Sequence, residues 1–298
     1  MDPAFMFGTE SPHALFSLFK LGDLKLGDND VKGQLPFQQQ FTGGSSNRLA
    51  RGWATVVIDT LLGLAVYTRL KKACPIATVD LNIDFIAPPS DGADLICSAV
   101  CDEIRDGIAF MSGELVDAKT GARVANVGSK FVIKEALGEK TARGNKSGAK
   151  PERKILPPPT MPDGVPCQEF EKLKADNAYL KWLNPTCYST DGDTIVALEF
   201  QETLIGDPLV RAMHGGILTS LMEVAAFRVA ISAQPEGTSH GKLLSQSVQF
   251  LRGTSGHHSF AAAKVIRNGA RLTTVDAIVW QHDKAKPAAR GTFIFSNM

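Results

Sequence analysis

Met213-His214-Gly215-Gly216-Ile217-Leu218-Thr219-Ser220-Leu221-Met222-Glu223 sets a His-Gly-Gly turn at the head of an apolar segment. Glycines allow close backbone approach, and a helix N-terminus leaves several N–H groups unpaired. Glu223 follows inside the helix, on a face expected to be buried, where a carboxylate is suited to acid/base chemistry. The predicted helix runs from His214 to Ile231.

A faded copy of this stretch stands in the first half. Trp53 to Leu70 reads as a helix apolar nearly all round, and such a helix is buried on most sides. With Gly52 and Gly216 in register, Asp59 and Glu223 each follow seven residues on. Phe85 then falls within one residue of Phe250, and Gly128 within one of Gly291. The order of elements matches too. In the first half, strands are predicted at Ala77–Ile86, Asp94–Glu103, Ile108–Val116 and Ala122–Ile133. In the second they are Lys242–Leu251, His258–Arg267, Arg271–Gln281 and Ala288–Phe295. Ala77–Ile86 has the period-two alternation of a half-buried strand. Spaced matches over such a period indicate a duplicated domain, not a solenoid.

Elsewhere the signals are weaker. His13–Lys20 is expected to be helical, Lys32–Gln40 a strand that Pro36 disfavours, Cys167–Leu183 one helix and Thr194–Ile205 a strand. Lys134 to Pro166 lacks apolar periodicity and ends near Pro157-Pro158-Pro159. Its first part, Lys134 to Lys154, holds seven basic and three acidic residues. It reads as a linker, with contact to cofactor phosphates as the functional alternative. The expected domains are residues 6–134 and 167–298, joined by 135–166.

Composition bounds the rest. The 298 residues are 44% hydrophobic and 21% charged, with net charge +1. Near-neutrality gives no electrostatic case for nucleic acid or an acidic membrane surface. No run reaches the roughly 18 uninterrupted apolar residues of a membrane span. Met1–Phe5 lacks a signal-peptide pattern and reads as a cloning remnant. Cys74, Cys97, Cys101, Cys167 and Cys187 form no CxxC pair or metal-ligand spacing, so core-filling thiols in a cytoplasmic protein are expected. His240, His257, His258 and His282 fall in polar, turn-like stretches and read as surface.

His214, Gly215, Gly216 and Glu223, with Leu221 and Ala225 beside the carboxylate, resemble the helix start of hotdog-fold acyl-CoA thioesterases of the phenylacetic-acid-pathway type. Ala77–Pro89 resembles the strand that follows that helix. The Asp117–Gly121 turn into Ala122–Ile133 fits as well. The resemblance spans most of both halves and implies an α+β chain of two tandem hotdog domains, each a long buried helix wrapped by an antiparallel sheet. The chain departs from the pattern at Ala50-Arg51-Gly52, which stands in place of His-Gly-Gly. It departs again at Pro208, where a polar amide is usual, and at Leu243, the counterpart of Thr78.

In such pairs the helix start of one copy meets the carboxylate of the other. The resemblance therefore implies two unequal sites. One joins His214 and the Gly215 N–H, with Gly216, to Asp59 and Thr78. The other joins the Arg51 or Gly52 N–H to Glu223. Asp59 or Glu223 would activate water or attack the thioester directly. A backbone N–H would hold the developing oxyanion, a contribution typically of about 3–4 kcal/mol. Carboxylates at matched positions in two apolar helices need a reason to be kept, because burying charge is costly. Arg267 and Arg271, flanking a turn, are candidates for cofactor phosphates. The expected partner is an acyl-CoA, with coenzyme A as part of the substrate and no separate cofactor or metal. Pairing of two chains is allowed but not demanded. A non-catalytic acyl-CoA-binding protein and an enoyl-CoA hydratase or dehydratase of the same fold are the alternatives.

Overall fold

The computed structural model describes residues 13–44, 46–72, 74–134, 156–190, 193–207, 211–234 and 241–297. Most of the linker, Pro208, His240 and Met1–Phe5 lie outside these residues.

The first half contributes β1 (Gly22–Leu26), β2 (Asp30–Leu35), α1 (Arg51–Leu70), β3 (Ile76–Phe85), β4 (Leu95–Arg105), β5 (Ile108–Asp117) and β6 (Arg123–Ile133). The second contributes α2 (Gln168–Ala175), α3 (Ala178–Leu183), β7 (Thr186–Thr190) and β8 (Asp193–Leu198). A short hairpin, β9 (Ile205–Asp207) and β10 (Ala212–Met213), leads into α4 (Gly215–Ser232). β11 (Lys242–Phe250), β12 (Ser259–Asn268), β13 (Leu272–Trp280) and β14 (Ala289–Ser296) complete the chain.

Twelve strands form one sheet in the order β1-β2-β4-β5-β6-β3-β11-β14-β13-β12-β8-β7. Read outward from its centre, the two halves repeat the same order. The seam is the antiparallel pair β3–β11, where Leu81 faces Val248 and Asn82 faces Ser247. The Ser247 hydroxyl donates to Asn82 Oδ1 across the seam at 2.6 Å. The duplication read from glycine spacing is thus a pseudo-twofold in the sheet.

Both long helices pack on the inner face. Every residue from Gly52 to Val66 in α1 is buried. Both helices are long and apolar enough to cross a membrane by length and composition; in the fold they are the core. They cross at small residues. A Cβ on Gly216 would lie 2.6 Å from the Val56 Cα, and one on Gly52 would lie 2.9 Å from Ser220 Oγ. Val56 and Ser220 each stand four residues past their own half's glycine, so the crossing obeys the same pseudo-twofold.

Several local expectations are corrected. Only a 3-10 turn at Phe16–Leu18 forms within 13–20. β2 ends before Pro36, which has no N–H for a ladder. The helix expected over Cys167–Leu183 is two, because the Asn177 side chain caps a new start by accepting from the Leu180 N–H at 3.0 Å. The strand expected over Thr194–Ile205 stops at Leu198 and gives way to a 3-10 turn at Glu202–Leu204. β1, β7 and the β9–β10 hairpin are short, without a clear alternating pattern to announce them.

Candidate active site

His214 is the N-cap of α4. Its Nδ1 accepts from the Gly216 N–H at 3.0 Å, so the neutral ring carries its proton on Nε2. Nε2 lies 2.8 Å from Thr60 Oγ1, and the Thr60 hydroxyl donates to the Val56 carbonyl at 3.0 Å. One chain of donors therefore runs from the second half's histidine into α1. Burial pushes the His214 pKa down to about 3, which keeps the ring neutral.

The same Gly216 N–H also donates to Asp59 Oδ2 at 3.0 Å. Thr78 on β3 donates to the other oxygen, Oδ1, at 3.2 Å. Asp59 is 5% exposed. Its pKa is pushed up to about 6 by burial, against the opposing hydrogen bonds from Thr78 and Gly216. His214 Nδ1 lies 3.6 Å from Asp59 Oδ2. With the ring neutral this is a lone pair facing a carboxylate, bridged by one shared N–H, and not an ion pair.

The structure thus joins His214, Gly216, Asp59 and Thr78 in one cluster built from both halves. The amide meeting Asp59 is that of Gly216, one residue beyond the Gly215 of the sequence expectation. The Gly215 N–H, at the first position of α4, has no partner among the described residues. A Cβ on Gly215 would sit 2.9 Å from Asp59 Oδ2 and 3.2 Å from Phe250 Cζ, so this backbone closely borders the carboxylate. Phe16 stands edge-on to His214 at 6.3 Å and closes the cluster from the N-terminal side.

The matched position across the pseudo-twofold of the same α1–α4 pair differs in its polar residues. Ala50 replaces His214, Val224 replaces Thr60 and Leu243 replaces Thr78. Arg51 stands where Gly215 would, with its guanidinium 5.2 Å from the centre of the Phe85 ring, much as Gly215 borders Phe250. Burial lowers the Arg51 pKa, and the nearby Glu223 carboxylate opposes this. Glu223 Oε2 is buried without a hydrogen-bond partner among the described residues. Burial raises the Glu223 pKa to about 7, with Arg51 opposing. Tyr179 of α3 donates to Ser220 Oγ at 2.9 Å. Ser220 in turn donates to the Gly52 carbonyl at 3.1 Å, so this helix start is roofed by Tyr179.

Arg267 and Arg271 are not brought to the His214–Asp59 cluster. Their turn adjoins the C-terminal end of α4, where Gln234 donates to Asn268 Oδ1 at 3.1 Å. At 1.5 Å per residue, α4 separates that end from His214 by about 27 Å. Of the histidines read as surface, His282 is exposed as expected, while His257 and His258 are half-buried. His258 Nδ1 accepts from the Phe200 N–H at 3.0 Å, and His257 contacts His282 at 3.2 Å. Among the described residues no group of three or more His, Cys, Asp or Glu side chains is placed to hold a metal ion. Sequence reasoning missed Thr60, whose tie to His214 crosses the two helices. The fact that Thr60 faces Val224 in register was the available signal.

Comparisons with known proteins bear on the fold and the family of its two halves. Residues 48–123 match the family model of the thioesterase superfamily, and residues 207–296 match that of the acyl-CoA thioesterase N-terminal domain. No curated protein sequence matches the chain. Among solved structures, the TesB protein of Mycobacterium avium subsp. paratuberculosis superposes with TM-score 0.60 at 12% identity, over 95% of this chain and 97% of that one. The acyl-CoA thioesterase II TesB2 of Mycobacterium marinum gives 0.56 at 10% identity, over 95% and 96%. A hotdog-fold protein of unknown function from Alicyclobacillus acidocaldarius gives 0.56 at 13% identity, over 92% and 94%. At such identities the structural likeness speaks for the fold, and that fold is a double hotdog.

Proposed function

For a chain whose two hotdog halves are both of thioesterase type, we propose hydrolysis of an acyl-CoA thioester at the Asp59–Gly216 cluster alone. The observation that carries the reading is the Asp59 carboxylate of α1 seated on the Gly216 N–H at the N-terminus of α4, across the pseudo-twofold. The names of the matching family model and of the M. marinum structural relative support acyl-CoA as the substrate class.

In this reading Asp59 takes a proton from water as the water oxygen attacks the thioester carbon. The Gly215 N–H and the α4 dipole receive the developing oxyanion. Collapse breaks the C–S bond, and the proton returns from Asp59 to the departing thiolate of coenzyme A. Thr78 orients the carboxylate. Neutral His214 fixes the turn that presents the amides. Both Asp59 oxygens already accept hydrogen bonds, which favours its role as a general base over direct attack on the carbonyl. At the other cluster, Arg51 lies over Phe85 and among the described residues no Thr or His supports Glu223, so that cluster is assigned no turnover.

A thiol-release assay over a panel of acyl-CoAs tests this. Asp59→Asn is expected to lower kcat by about 10²–10⁴-fold, the usual worth of a general base. Glu223→Gln should leave kcat within about twofold. Binding without thiol release would favour a non-catalytic acyl-CoA protein, and water addition to an enoyl-CoA without thiol release would favour a hydratase. A large loss in Glu223→Gln with little in Asp59→Asn would reverse the assignment.

A further inference from the structure

Away from this cluster, two thiols stand opposite each other. Cys167 is the N-cap of α2 and Cys187 lies in β7. The Cys167 N–H donates to the Cys187 carbonyl at 2.8 Å, beside the antiparallel bridge Pro166–Tyr188. Residues directly opposite in such a pair have Cα atoms about 5.5 Å apart and side chains on one face. That lies within the roughly 4.4–6.8 Å that a disulfide spans. Both thiols are free; Cys187 is buried and Cys167 is half-exposed.

The surroundings of Cys167 favour its thiolate. Arg228 of α4 places Nη2 3.7 Å from Cys167 Sγ and is itself held by Glu169 at 3.2 Å. The Phe170 and Glu169 amides at the start of α2 also hold the Cys167 pKa below its ordinary value, while burial raises that of Cys187 to about 11. An accessible thiol beside a guanidinium and a helix N-terminus, with a second thiol behind it, is the setting in which cysteines react with oxidants.

We propose that Cys167 is a hydrogen peroxide-reactive thiol and that Cys187 is its resolving partner. The Cys167 thiolate attacks one peroxide oxygen and the O–O bond breaks. The products are a sulfenic acid and, after protonation, water. The Cys187 sulfur then attacks the Cys167 sulfur, the S–S bond forms, and the S–O bond breaks to release a second water. Two thiols are oxidised to one disulfide as one peroxide is reduced. The disulfide removes the thiolate that Arg228 faces and leaves it Glu169 alone, so the state of the pair is felt on α4, the helix that carries His214 at its other end.

The test needs no turnover and is independent of the proposed hydrolysis. The reduced full chain is exposed to a small excess of hydrogen peroxide, blocked with iodoacetamide, digested without reductant and mapped by mass spectrometry. The expected product joins the peptides of Cys167 and Cys187. Cys187→Ser should stop at a sulfenic acid captured by dimedone on Cys167. Cys167→Ser should leave Cys187 unoxidised. Arg228→Gln should slow alkylation of Cys167 at neutral pH by about threefold or more, following the thiolate fraction. Wild-type chain that takes up no oxidation, or whose oxidation maps to Cys74, Cys97 or Cys101, overturns the assignment, and this result requires no variant to fold. So does a Cys167→Ser chain that oxidises at Cys187 as fast as the wild type.

Discussion

Asp59→Asn should stabilise the fold in a manner set by pH. The substitution keeps the shape of the side chain: an amide oxygen can still accept from the Gly216 N–H, and the amide nitrogen can face Thr78. It removes the ionisable group. Burial lifts the Asp59 pKa from its ordinary 3.8 to about 6, so the folded chain holds this proton more tightly than the unfolded chain. Ionised Asp59 therefore costs nothing extra below pH 3.8. Its cost grows as pH rises from 3.8 to 6 and is complete above that. The roughly two pH units between these values, at 1.36 kcal/mol each, amount to about 3 kcal/mol. Urea denaturation of wild type and Asp59→Asn at pH 8, 6 and 4.5 measures this. The variant should gain about 2–3 kcal/mol at pH 8 and less at each lower pH, while losing thiol release. Equal stability at pH 8, or a gain independent of pH, would refute the claim that a charged carboxylate is held against its solvation for the sake of chemistry.

Gly216→Ala should destabilise the chain by about 3 kcal/mol, the upper range for overpacking. Its Cβ would lie 2.6 Å from Val56 Cα, and backbone cannot rotate aside; a urea midpoint within error of wild type would show that the helices separate freely. Thr60→Val should cost about 1–3 kcal/mol by leaving the buried His214 Nε2–H without an acceptor. The double variant His214→Ala with Thr60→Val copies the Ala50–Val224 pair and should lose less than the sum of the two single changes. Additive losses in the double-mutant cycle would disprove the coupling.

Much of the fold was legible because it is repeated. α1 and α4 announced themselves by unbroken apolar character, and β3 by alternation of Val79, Leu81, Ile83 and Phe85 with acids and Asn. β1 and β7 were missed because GDLKL and TCYST carry little apolar pattern; they pair only because an edge is offered to them. The equivalence of Asp59 and Glu223 was readable from register, and their exchange between halves was implied by the family resemblance. The choice of Gly216 over Gly215 as the amide that meets Asp59 was not, since it depends on the angle at which the helices cross. The Cys167–Cys187 pair escaped notice because 20 residues separate it and only the strand pairing of β7 with the entry to α2 brings it together.

The β3–β11 seam joins two copies that are covalently one. In a dimer of identical chains, any residue change at a helix start would be imposed on both sites at once, and a change such as Gly to Arg would remove activity altogether. Here each position is encoded once. Arg51, Ala50, Val224 and Leu243 could therefore accumulate around one cluster while His214, Thr60 and Thr78 were held around the other. One consequence is practical: on the proposed assignment, the surroundings of Glu223 can be altered to tune stability without touching the groups around Asp59. The converse also holds. Restoring His, Gly, Thr and Thr at Ala50, Arg51, Val224 and Leu243 in a single chain would ask whether a second working site can be rebuilt in the scaffold that still holds Glu223.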